Sequence, residues 1–253
     1  MGFLRGIGKF LGSTIFTTFL VFAVLMMEMT SFTSHDNFKT LVSGLLENQF
    51  SAISESDLAT LQSLLSFQCL QAESVKVPLS EWPPVTLKCS DIKNSDKSQL
   101  LDLITASLAD SLYYKEFDCS FIDCITQGNQ QNLLVVATNE GNQFYRNLQM
   151  YMWIGTGAGL ALLLVSVGTW AGRLKGVGFN LLFIGLPFLL LGYVQSSLTS
   201  YLPVGLESSV KPVIDSLLSS IKNKFIIISV VGAVSLVGGY ALAFYLSRRV
   251  KKK

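Results

Sequence analysis

Apolar residues in this chain gather into four long runs, separated by stretches in which they recur every three or four positions. The runs are residues 10–27 (FLGSTIFTTFLVFAVLMM), 150–170, 177–195 and 225–246, and none contains Asp, Glu, Lys or Arg. About 20 apolar residues in a helix cross the hydrocarbon of a bilayer, where no water is present to satisfy backbone groups. Each run therefore predicts a transmembrane helix. The first is preceded by Arg5 and Lys9, as a secretory signal would be. Its apolar part is longer than a signal core and no small-residue cleavage site follows, so it is expected to remain as an anchor.

Residues 31–147 read mainly as helix. Phe38, Leu41, Val42, Leu45 and Leu46 make one apolar face. A second helix, capped by Ser54 or Ser56, carries Leu58, Leu61, Leu65 and Cys69. A third starts near Ser95 or Asp96 and carries Leu100, Leu101, Ile104, Leu108 and Leu112. Pro78, Pro83 and Pro84 mark residues 71–95 as a loop. From Asn132 a helix is expected to run on into the second span, with Gly128 and Gly141 as weak points. Residues 197–224 are also amphipathic. Leu206, Val210, Val213, Ile214, Leu217, Leu218 and Ile221 share a face. This segment either lies on the membrane or continues the fourth span upright, and the upright form is expected because it gives that face a protein partner.

Charge orients the spans. Arg5, Lys9, Arg173, Lys175, Arg248, Arg249, Lys251, Lys252 and Lys253 fall on one predicted side with no acid among them. Residues 31–147 hold 14 acids against 7 bases. The positive-inside rule then puts both termini in the cytoplasm and residues 31–147 outside, in a multi-pass plasma-membrane protein. Tyr151, Trp153 and Trp170 fall at expected interfaces. The expected order is residues 1–30 (N-terminus and first span), 31–147 (outer domain), 148–172 (second span), 173–176 (cytoplasmic turn), 177–196 (third span), 197–224 (outer amphipathic segment), 225–247 (fourth span) and 248–253 (basic tail). Composition agrees. Half of the 253 residues are hydrophobic and 14% are charged, where soluble domains carry about a quarter. A net charge of +2 gives no reason to invoke nucleic acid.

The four cysteines, Cys69, Cys89, Cys119 and Cys124, all lie in the predicted outer domain. An even number on the oxidising side reads as two disulfides, for which three pairings exist. If the second and third helices are antiparallel, Cys69 comes near Cys89. Cys119 then meets Cys124, provided that the intervening SFID is not regular helix. Thiol exchange in a membrane enzyme would favour a C-x-x-C spacing, which is absent. The single histidine, His35, stands beside Asp36 and reads as a solvated pair.

Within the spans, Gly155, Gly157 and Gly159, then Gly168 and Gly172, then Gly232, Gly238 and Gly239 have the spacing of close helix packing. Pro187 is expected to kink the third span. Spans two to four contain no ionisable pair for coupled transport. No zinc-protease, nucleophile-elbow or P-loop signature is present. The four-span layout resembles that of animal tetraspan families, but the W…C…C motif of claudin-like proteins and the CCG motif of tetraspanins are missing, so no residue role carries over.

The expected fold is an all-α membrane protein, four transmembrane helices with a helical, disulfide-bonded extracytoplasmic domain inserted between spans one and two. The expected function is a non-enzymatic scaffold or binding protein presenting an acidic outer domain. An oligomeric pore subunit is the alternative, and a membrane thiol–disulfide oxidoreductase the third reading. Catalytic residues, cofactors and metals are not expected. The expected partners are the lipid bilayer and either a second copy of the chain or another protein at the outer domain.

Overall fold

The computed structural model describes residues 2–50, 55–77, 84–93, 97–126, 134–190 and 207–250. These form helices α1 (Gly2–Phe32), α2 (His35–Phe50) and α3 (Glu55–Gln68), strands β1 (Ser74–Val77) and β2 (Val85–Lys88), and helices α4 (Cys89–Lys93), α5 (Lys97–Tyr113) and α6 (Phe121–Thr126). A 3-10 turn at Leu134–Ala137 precedes α7 (Asn139–Ser166), α8 (Trp170–Leu189) and α9 (Glu207–Val250). Among the described residues, three stretches are long and apolar enough to cross a membrane, Arg5–Phe32, Asn139–Ser166 and Asp215–Arg249.

The chain divides into two compact units. One comprises Met1–Thr30, Tyr145–Val204 and Ile214–Lys253; the other comprises Ser31–Phe144 and Gly205–Val213. The second unit has its own core. Phe38, Val42 and Leu46 of α2 join Leu100, Ile104, Leu108 and Leu112 of α5, with Leu65 of α3. Residues 71–95 are not simply a loop. β1 and β2 pair antiparallel, Val75 opposite Leu87 and Val77 opposite Val85, and all four side chains are buried in that core. SVKV and VTLK each alternate apolar with polar, the period of a half-buried strand. This hairpin is a correction to the all-helical expectation. All three prolines lie between the two strands in sequence, outside the paired residues, as a residue without an N–H to donate to the ladder should.

α7 begins where Gly141 permits a close approach. A Cβ there would strike the carbonyl oxygens of Val135 and Val136 in the 3-10 turn. Gly141 thus joins turn to helix rather than weakening the helix. Gly128 lies outside the described residues.

The first unit is a helical bundle of α1, α7, α8 and α9. Glycines set two close crossings in it. A Cβ on Gly12 would lie 2.6 Å from Leu163 N, and one on Gly159 would lie 2.5 Å from Phe16 N, so α1 and α7 run antiparallel almost backbone to backbone. A Cβ on Gly178 would lie 2.6 Å from Leu236 N, and one on Gly232 would lie 2.7 Å from Leu182 N, which joins α8 to α9 in the same way. Phe16, Leu20 and Val24 of α1 meet Ile184 of α8 and Ile221 and Phe225 of α9. Phe188 stacks on Phe225 with ring centroids 3.6 Å apart.

The helix ends do not coincide with the ends of the apolar runs. α7 ends at Ser166 rather than near Trp170. Residues 167–169 join α7 to α8, ahead of Arg173 and Lys175. Thr169 is the N-cap of α8 and accepts a hydrogen bond from Gly172 N, so the helix restarts at Trp170 and takes Arg173 and Lys175 into its first two turns. Pro187 lies inside α8, in its last turn, two residues from its end. The Leu190 N–H bonds the Pro187 carbonyl there. The expected end of the third span at Gln195 lies outside the described residues. α9 is one 44-residue helix, about 66 Å long at 1.5 Å per residue. Its amphipathic beginning is therefore continuous with the apolar run and is not a separate surface helix.

Candidate functional site

Both disulfides lie in the second unit. Cys69, following the end of α3, is bonded to Cys89 at the start of α4, with Cα atoms 5.3 Å apart. Cys119 is bonded to Cys124, with Cα atoms 5.4 Å apart. The second bond is possible because α6 starts only at Phe121, leaving Cys119 outside the helix. Ser120 caps α6, donating to the Asp123 carboxylate at 2.6 Å. Cys69, Cys89 and Cys124 are buried, and no cysteine is free.

His35 pairs with a residue far along the chain rather than mainly with its neighbour. Its Nε2 lies 2.6 Å from Asp110 Oδ1, whereas Nδ1 is 3.8 Å from Asp36. The ring stacks on Tyr114 and meets Tyr113 edge-on. Tyr113 donates its hydroxyl to the Thr33 carbonyl at 3.0 Å, and Asn142 donates to the Thr33 hydroxyl at 3.0 Å. Burial, then the neighbouring Tyr114, raises the Tyr113 pKa above 10.0. The network joins the ends of α1 and α5 to the start of α7. Among the described residues, no cluster of His, Cys, Asp or Glu is suited to a metal ion.

Three large apolar side chains at the end of α3 and in the turn after it are uncovered. Leu64 is 57% exposed, Phe67 64% and Leu70 73%. They recur at three-residue intervals, and Leu70 N bonds Phe67 O at 3.1 Å in the turn that ends the helix. Leu65 and Cys69, one position away from Leu64 and Leu70, are buried.

The first unit holds a cavity of about 570 Å³ where α1 and α8 begin and α7 and α9 end. Lys9, Ser13, Lys175, Asn180 and Tyr240 supply its polar lining. Asn180 is buried, accepts a hydrogen bond from Ser13 and donates to the Gly176 carbonyl at 2.8 Å. Lys175 Nζ sits 3.8 Å from the centre of the Tyr240 ring. Sequence patterning treats Lys9 and Lys175 only as topology signals, and four separate helices are needed to bring these side chains to one space.

The glycines divide by role. A Cβ on Gly155 would strike the Phe19 ring. Gly159, Gly232 and Gly239 face a neighbouring helix backbone, Gly239 at 2.9 Å from Lys175 N. Gly157 and Gly238 face open space. Gly168 lies in the connection before α8, where a Cβ would meet only the Arg5 guanidinium at 3.9 Å. Gly172 packs against Val167 and Thr169 of the same turn. Neither contributes to a helix–helix crossing. Comparison with protein-family models, curated proteins and solved structures finds no match.

Proposed function

We propose that this chain is a non-enzymatic, four-span membrane protein that displays its disulfide-bonded unit outside the cytoplasm as a docking surface for another protein. The observation that carries the reading is the exposure of Leu64 and Phe67 near the end of α3 and of Leu70 just beyond it, on a unit that has its own buried core. Covering such side chains contributes up to about 2 kcal/mol each, and grouped exposed apolar residues are uncommon without a use. Disulfides favour an oxidising compartment for this unit. α8 supplies the third of the four spans, and the nine basic residues grouped at one predicted side set the orientation. Buried Cys69, Cys89 and Cys124 speak for a structural role, since exchange chemistry needs an accessible thiolate.

Two measurements test this. A membrane-impermeant maleimide applied to intact expressing cells should label Asp102→Cys and spare Lys252→Cys; the inverse pattern overturns the orientation. A photoreactive residue at position 67 should crosslink to one other protein in intact membranes, and Leu64→Ser should weaken that adduct. Adducts to lipid alone, or to a second copy alone, remove the proposed partner.

A further inference from the structure

We infer that the cavity between α1, α7, α8 and α9 binds one anionic phospholipid from the surrounding bilayer. The inference is independent of any partner at α3. It rests on charge, shape and position together. Lys9 and Lys175 both line the cavity, and its lining contains no carboxylate. Among the described residues neither lysine makes an ion pair. Lys9 is exposed and Lys175 half-buried, so both ammonium groups are accessible, and two of them at one cavity without a carboxylate attract an anion.

The remaining walls call for a chain. Phe10 and Phe179, which are 70% and 63% exposed, also line the cavity. An apolar groove along Ile7, Phe10 and Leu11 of α1 adjoins it, sharing Gly6 and Phe10. The volume of the cavity lies within the roughly 300–1,000 Å³ of small-ligand sites. A phosphate at Lys9 and Lys175 leaves the acyl chain along these aromatic and aliphatic side chains. The Ser13–Asn180 pair adds polar groups to the lining one to two helical turns beyond Lys175, about 7.5 Å along α8. Basic pockets between spanning helices bind lipid head groups by this combination of charge and apolar wall. A free phosphate would use the lysines and leave the apolar groove empty.

The test uses the full chain in mild detergent and native mass spectrometry during titration with dioleoyl phosphatidylglycerol, dioleoyl phosphatidylcholine or inorganic phosphate. The expected result is one saturable phosphatidylglycerol adduct, held about tenfold more tightly than phosphatidylcholine, and no phosphate adduct. Lys9→Gln with Lys175→Gln should lose roughly tenfold in phosphatidylglycerol affinity. Arg248→Gln with Arg249→Gln, at the end of α9, should bind as the parent does. Gly176→Phe keeps both lysines and fills the space, since a Cβ at Gly176 meets only Leu163 Cδ2 at 3.8 Å. It should also lose the adduct, and it decides the matter if the double lysine variant does not fold. Equal binding of the two lipids overturns the inference. So does parental affinity in both cavity variants, or competition by inorganic phosphate alone.

Discussion

Glu28 of α1 and Lys224 of α9 face each other with Oε1 and Nζ 3.1 Å apart. The carboxylate is almost completely buried, at 4% exposure, while the lysine side chain is 43% exposed. The contact is a charge pairing rather than an aligned hydrogen bond. The asymmetry decides how each side responds to substitution. Lys224→Met strands a buried negative charge, and it should lower the apparent melting temperature in detergent more than Glu28→Gln does. The double variant should recover part of the loss, with a coupling of about 1 kcal/mol. Strictly additive losses would mean that the pair contributes nothing.

The two disulfides close loops of different length, with sequence separations of 20 and 5. Chain entropy assigns about 3 kcal/mol to the longer loop and about 2 kcal/mol to the shorter. Replacing Cys69 and Cys89 with Ser should therefore destabilise the unit containing residues 31–144 more than replacing Cys119 and Cys124. Denaturant unfolding of the two double variants checks the order.

Tyr113 makes an alkaline prediction. Its pKa in the folded chain is raised above 10.0, mainly by burial. Stability from keeping this phenol neutral is complete below about pH 10 and is lost as pH climbs through the raised value. Tyr113→Phe should cost about 1 kcal/mol at about pH 8 through the lost bond to Thr33. It should also flatten the decline in melting temperature above about pH 10. An alkaline decline identical in parent and variant would assign it to other groups.

Glycine substitutions separate contact from mere abundance. Gly159→Ala and Gly232→Ala force helix backbones apart and should cost about 1–3 kcal/mol. Gly157→Ala and Gly238→Ala meet no atom within 4 Å and should be neutral or stabilising by up to about 1 kcal/mol. Thermal melts of the four variants in one detergent are a direct comparison.

These glycines also show what was legible in the sequence. Their spacing marks helices able to pack closely, but it does not distinguish Gly157 from Gly159. Both sit in one run, and only the partner helix separates them. The apolar faces of α2 and α5, by contrast, follow directly from periodicity. Phe38, Val42 and Leu46 recur on one side of α2, and Leu100, Ile104 and Leu108 on one side of α5. The hairpin is harder to read, because each strand is only four residues long and three prolines dominate the segment between them. The cavity is harder still. Lys9, Lys175 and Tyr240 meet only after four helices have packed, and no local pattern records that meeting.

The crossings of α1 set an order of events during synthesis. The hairpin, both disulfides and the packing of α2 on α5 use only residues that emerge before α7 is complete. The Gly12 surface of α1 must wait for Leu163, and Ser13 must wait for Asn180, 167 positions later. α1 is thus made before its partners α7 and α8 and must wait for both. Until then its close-packing face is open to lipid or to a chaperone. Chains truncated before residue 139 should accordingly have closed disulfides beside an unpartnered α1.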